Sequence, residues 1–253
     1  MESLLSLEQI NNYSQLSLNL SYGKAEPNFM QIAALKALNE VRVKENKKRA
    51  LIVAAMGSGK TYLSAFDAKN MGANRILYIC HNEEILKSAY SQYQKVFEDS
   101  KTYGFFIGNK KDSNSDIIFA TNSSLVKHLS DFSKTYFDYI IFDEAHHIAA
   151  NTYQTILKYF SPNFILGMTG TPDRTDQVNV KEIFGNSVPY ELSLRDAIKF
   201  DVIMPFKYYG VKDGLVNYSK KNSEESLLEE MISKEHGIFI KEQIELHLDE
   251  IQG

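Results

Sequence analysis

The stretch AAMGSGKT, from Ala54 to Thr61, decides the fold, because an apolar run (Leu51 to Ala55) leads there through a Gly-Ser-Gly turn into a helical pattern. A strand, a glycine turn and a helix start in that order form a phosphate-binding loop, whose backbone N–H groups wrap a polyphosphate. Met56, Gly57, Ser58 and Gly59 supply the loop; Lys60 adds a point charge on the β and γ phosphates; Thr61 offers its hydroxyl to Mg²⁺. Ala54 stands where the commonest form of this pattern has its first glycine, and GSGKT alone could be a plain glycine turn.

The second informative run is DEAHH, Asp143 to His147, at the end of the apolar segment Tyr139 to Phe142. Adjacent carboxylates there can divide the work of ATP hydrolysis. Asp143 would hold the metal, partly through water, while Glu144 orients or deprotonates the attacking water. A lone Asp-Glu after a strand is ordinarily just a polar strand end. Its meaning here comes from pairing with the glycine loop, since ligands of open α/β sheets bind at the carboxyl ends of strands. The histidine pair lacks HExxH or Cys/His spacing, so the expected ion is magnesium rather than zinc.

Strand-like runs recur at Leu51 to Ala55, Arg75 to Cys80, Asp116 to Thr121, Tyr139 to Phe142 and Phe164 to Met168. They are continuously apolar, which suits a parallel sheet covered on both faces. Helical patterns occupy Phe29 to Glu45, Thr61 to Asn70, Glu83 to Glu98, Ser123 to Phe132 and Tyr153 to Phe160. The expected architecture is an α/β, three-layer, doubly wound, mostly parallel sheet.

Composition is compatible with this. The 253 residues are 43% hydrophobic, with no apolar run near the length that spans a bilayer and no basic, apolar start of a signal peptide. Cys80, the single cysteine, reads as a small apolar strand residue, and a cytoplasmic location is expected. Net charge is −4, but the four lysines and nine acids from Asn217 onward carry −5 of it, leaving positions 1–216 near neutral at +1. Such a surface can still hold a phosphate backbone through a few basic contacts, with salt-sensitive affinity.

The ordered motifs resemble the first, RecA-like motor domain of superfamily 2 helicases, of the DEAH-containing type found in the motor subunits of type I and type III restriction enzymes. AAMGSGKT resembles motif I; ILYICHNEEIL (Ile76 to Leu86) resembles motif Ia; FATNSSL (Phe119 to Leu125) resembles the following nucleic-acid-gripping segment. DEAH is motif II, and MTGTPDR (Met168 to Arg174) resembles motif III. The resemblance implies an ATP hydrolase acting on nucleic acid, DNA being favoured over RNA. Gln31 falls where relatives read adenine, although a solvated glutamine on an amphipathic helix is the competing reading. His146 would couple the carboxylates to Thr169 or Thr171. His81, Asn82 and Thr121 would grip a single strand through phosphates, the alternative for His81 being a helix cap. Arg174 has no assigned role.

Three segments are expected: an N-terminal extension (1–26) without a nuclease-like constellation, a motor domain (27–211), and an acidic, partly helical linker (212–253) toward a second RecA-like domain outside this sequence. With that domain would go an arginine finger, worth roughly 10³ to 10⁵ in rate, so the isolated chain is expected to be nearly inactive. A nucleotide-dependent interaction switch without motor activity is the reading from another class.

Overall fold

The computed structural model describes residues 25–170 and 180–205, which up to Met204 belong to one unit. Asparagine opens the first helix: in α1 (Phe29–Val43), Asn28 Oδ1 accepts from Gln31 N while Gln31 Oε1 accepts from Asn28 N, a reciprocal capping box. The chain continues through β1 (Arg49–Ala54), α2 (Lys60–Asn70), β2 (Ile76–Cys80) and α3 (Glu83–Phe97). Then come β3 (Tyr103–Ile107), β4 (Lys110–Lys111), β5 (Ile117–Thr121) and α4 (Asn122–Leu125). The described part closes with β6 (Tyr139–Phe142), α5 (Asn151–Tyr159), β7 (Phe164–Thr169), α6 (Val180–Ile183), β8 (Tyr190–Leu192) and α7 (Leu194–Lys199).

The eight strands form one sheet in the order β4-β3-β5-β2-β6-β7-β1-β8, parallel throughout except for the β3–β4 pair. Its central strands are buried at every position, as continuous apolar runs require when both faces are covered. Alternate residues feed opposite cores. Ile52, Tyr78, Phe119, Ile141 and Leu166 pack with α1, α2 and α3, whereas Leu51, Leu77, Ile118, Ile140 and Ile165 pack with α5 and the aromatic group Phe132, Phe137 and Phe160. This is the expected three-layer fold.

The edge strand β4 and its neighbour β3 escaped the sequence reading. In β3 buried and half-buried positions alternate, and β4 is two residues long, so neither presents the continuous apolar signature. The expected helix Ser123 to Phe132 is also corrected. It is a single turn, α4, followed by 3-10 turns over Val126–Asp131, with His128 at φ −133° interrupting the helix. The strand and helix expected in VPYELSLRDAI are present as β8 and α7. The acidic segment 212–253, the strand expected in MPFKYYGV beyond Pro205, and nearly all of the N-terminal extension lie outside the described residues. No helix among the described residues is long and apolar enough to cross a membrane.

Two close approaches lock the layers. A Cβ on Gly167, in β7, would lie 2.3 Å from the Phe184 ring, so only glycine lets that ring seat against the strand. On the other face, Asp67 of α2 is almost fully buried and accepts from the Arg42 guanidinium of α1 through both oxygens and from the Tyr139 hydroxyl of β6. Arg42 also lies over the Phe164 ring, 4.5 Å from its centroid. Removing one partner of a buried charge pair strands the other. Asp67→Ala is therefore expected to cost about 3 kcal/mol, read as a lowered urea midpoint with an unchanged slope; a midpoint within error of wild type would rule out this network as a stabilising clamp.

Candidate functional site

The carboxyl ends of β6, β7 and β1 lie side by side, and the residues following β1 and β6 converge on one cleft of about 1060 Å³. Beyond β1 the chain turns tightly: Ser58 N donates to Ala55 O at 3.2 Å, and Gly57 (φ 80°) and Gly59 (φ 84°) take the left-handed conformation. Alternating left-handed residues are what lets successive N–H groups form an anion nest, and glycine adopts that conformation without steric cost. Gly59 is doubly constrained, since a Cβ there would lie 2.7 Å from Gln31 Nε2. The Ser58 hydroxyl is buried with no hydrogen-bond partner among the described residues, while Met56 is 76% exposed at the rim.

Lys60 begins α2 and is buried. Its ammonium donates to the carbonyls of Ala54 (2.9 Å) and Ala55 (3.3 Å). Burial pulls its pKa below the usual lysine range, while the fields of Asp143 and Glu144 oppose that shift. Lysine and carboxylates therefore sense one another across the cleft.

Asp143 is 5% exposed, and both of its oxygens are occupied: Oδ1 accepts from Glu144 N at 3.0 Å and Oδ2 from the Tyr78 hydroxyl at 2.5 Å. Burial raises its pKa above the ordinary 3.8, with the Tyr78 hydrogen bond pulling the other way. Glu144 sits at φ 50°, ψ 51°, a left-handed conformation that is costly for a residue with a Cβ and characteristic of functional turns. Its Oε2 is 3.2 Å from His146 Nδ1, and the same nitrogen is 3.1 Å from Thr169 Oγ1. Because a carboxylate can only accept, this geometry calls for the Nδ1–H tautomer of His146, shared between Glu144 and Thr169. Thr171 and Arg174 lie outside the described residues.

Gln31 is buried, unlike the solvated glutamine of the competing reading. Its Nε2 donates to Gly59 O at 3.0 Å while its Oε1 closes the capping box, so it ties α1 to the phosphate loop. The sequence reading missed this link and also missed Tyr78. Both depend on contacts between segments far apart in the chain, although the N-x-x-Q spacing at Asn28 is a readable helix-start signal.

The residues expected to meet nucleic acid lie at the ends of β2 and β5, where a second, polar cleft of about 660 Å³ is lined by His81 and Thr121 but not by Asn82. His81 and Thr121 line it together with Lys111, Lys127, His128 and Asn109. Thr121 is buried at its floor, its Oγ1 accepting from Ser124 N at 3.4 Å. The cap of α3 is Asn82, whose Oδ1 accepts from Glu84 N at 2.7 Å; the capping role considered for His81 thus belongs to its neighbour. The His81 ring instead meets that of His147 edge-on, at 4.7 Å between centroids. A third cavity, of about 510 Å³, borders His81 on one side and Met56, Glu144 and His146 on the other.

Comparison with known proteins agrees with this geometry. The endonuclease subunit of the type I restriction enzyme EcoAI from Escherichia coli is 28% identical over 195 residues, 72% of this chain and 24% of that subunit. A DNA 3'-5' translocase, XPB2, from Sulfurisphaera tokodaii is 27% identical over 176 residues, 70% of this chain and 37% of the translocase. The SWI2/SNF2 ATPase core of Sulfolobus solfataricus, solved in complex with dsDNA, has the same fold, with a TM-score of 0.54 at 21% identity over 66% of this chain and 36% of that one. The chain thus spans well under half the length of these relatives. The family model described as the type III restriction enzyme res subunit matches residues 24–174, more than half of the sequence, and the chain belongs to that family.

Proposed function

We propose that this chain is the ATP-binding motor unit of a superfamily 2 helicase or translocase of the restriction-enzyme type, acting on DNA. The observation that carries the reading is the placement of Lys60 against Asp143 and Glu144 across one cleft, with the glycine loop between them. The triphosphate of ATP would lie in the loop, its γ-phosphate by Lys60. Glu144, aligned by His146, would take a proton from the attacking water as its oxygen bonds to phosphorus and the bond to the β-bridging oxygen breaks, leaving ADP and phosphate. His146 touches both Glu144 and Thr169 at the end of β7, so a change at the phosphate can reach motif III.

The donor set suits magnesium. Thr61 and Asp143 offer oxygen only, and no group of three or more His, Cys, Asp or Glu able to hold a metal occurs among the described residues, so an ion here would depend on phosphate and water for its remaining ligands. Bound there, Mg²⁺ would neutralise phosphate charge.

DNA would run along the second cleft, its phosphates facing His81, Asn82, Thr121, Lys111 and Lys127. Contacts of that kind position a strand without reading its sequence. The cavity between His81 and Glu144 supports communication with the nucleotide. A second RecA-like domain facing the cleft is part of this reading, and without it turnover is expected to be slow.

Calorimetry with ATP·Mg²⁺ tests the nucleotide site: Lys60→Ala is expected to weaken binding roughly ten- to hundredfold, as loss of a charge-assisted contact does. Unchanged affinity would refute the assignment. In protein joined to its second motor domain, Glu144→Gln should retain ATP binding and lose DNA-stimulated hydrolysis. For the DNA face, Lys111→Glu and Lys127→Glu should each weaken single-stranded DNA binding and lower the slope of log affinity against log salt by about one; equal slopes would place the strand elsewhere, and tighter binding of RNA than DNA would reassign the substrate.

The pKa of Asp143 yields a stability test. Its folded value lies above the unfolded one, so the folded protein takes up the proton first; the ionised carboxylate costs stability at neutral pH, and that cost fades as pH falls through the folded value. Asp143→Asn should therefore raise Tm by a few degrees at pH 7 while abolishing the magnesium dependence of ATP binding. A lowered Tm would contradict the direction of the shift.

A further inference from the structure

Tyr78 is completely buried in the middle of β2, its ring against Tyr93 (centroids 5.6 Å apart) and Phe119 (5.7 Å). A phenylalanine would fill that aromatic slot equally well, so packing does not account for the hydroxyl. The hydroxyl donates to Asp143 Oδ2 at 2.5 Å, joining the middle of β2 to the end of β6. That bond commits the hydroxyl's one proton to the carboxylate.

The consequence is geometric. Asp143, held at Oδ2 by Tyr78 and at Oδ1 by Glu144 N, has a fixed carboxylate plane. We infer that Tyr78 is a positioning residue that presets the metal-facing Asp143 carboxylate for Mg²⁺ brought in with ATP. The inference rests on the ATP·Mg²⁺ reading of the cleft. Outer groups that orient metal ligands typically contribute about 10- to 100-fold in metal affinity or activity.

The test separates nucleotide from metal. ATP affinity is measured by calorimetry in EDTA and across a Mg²⁺ titration, for wild type, Tyr78→Phe and the control Tyr93→Phe. The control removes another fully buried hydroxyl, which pairs with Ser64 Oγ at 2.8 Å rather than with Asp143. Tyr78→Phe should keep the EDTA affinity and lose about tenfold or more of the strengthening that Mg²⁺ produces, whereas Tyr93→Phe should keep both. The inference is overturned if Tyr78→Phe leaves the magnesium gain intact or weakens both affinities alike, or if Tyr93→Phe reproduces its effect. Wild-type protein that binds ATP without any magnesium gain, or not at all, would instead overturn the proposed function. Should Tyr78→Phe not fold, wild-type protein carrying ¹³C at Cζ of Tyr78 serves: its resonance should move when Mg²⁺ is added to the ATP complex, and a stationary resonance sinks the inference.

Discussion

A buried ammonium facing two carboxylates across the ends of parallel strands is the constraint on which the rest of this structure depends. Lys60 is 8% exposed and Asp143 5%, and neither could be left so deep without polar partners. Each is supplied with them: Lys60 by two loop carbonyls, Asp143 by Tyr78 and by Glu144 N. The glycine turns and the left-handed Glu144 bring these groups into one cleft, and the depressed lysine and elevated aspartate pKa values come from burial there, which outweighs the attraction of the opposite charges. An anionic ligand with a divalent ion would relieve both shifts.

Site and scaffold are made from the same elements. Helix α2 begins with Lys60 and carries Asp67 two turns later; strand β6 begins with Tyr139 and leads directly to Asp143; helix α1 carries Gln31 near its start and Arg42 near its end. The Arg42–Asp67–Tyr139 cluster therefore joins the three elements that present the phosphate loop, the carboxylates and the Gln31 contact. Rigidity matters because oxygen donors misplaced by an ångström lose much of their value in phosphoryl transfer. The two clefts are joined in a different manner, through the ring contacts of His81, His147 and His146 and the cavity beside them.

Much of the fold was legible from residues alone because buried parallel strands are written as unbroken apolar runs, and β1, β2, β5, β6 and β7 all have that form. The strands that were missed, β3 and β4, lie at one edge, where half-burial dilutes the pattern. The Ser123–Phe132 segment misled because its apolar spacing suits a helix, whereas its first turn is polar and the aromatic ring of Phe132 is drawn into the core beside Phe106 and Phe137.

By itself the sequence determined the phosphate loop, the paired carboxylates and the parallel α/β order, because each rests on neighbours in the chain: a glycine turn between strand and helix, two acids at a strand end. Only the tertiary structure decided the partners of those groups. Gln31 on Gly59, Tyr78 on Asp143, and Lys111 and Lys127 around the cleft of His81 bring together residues from 16 to 65 positions apart. Such pairings leave no local periodicity, since they are set by which strands the sheet places side by side and how deeply it buries their ends.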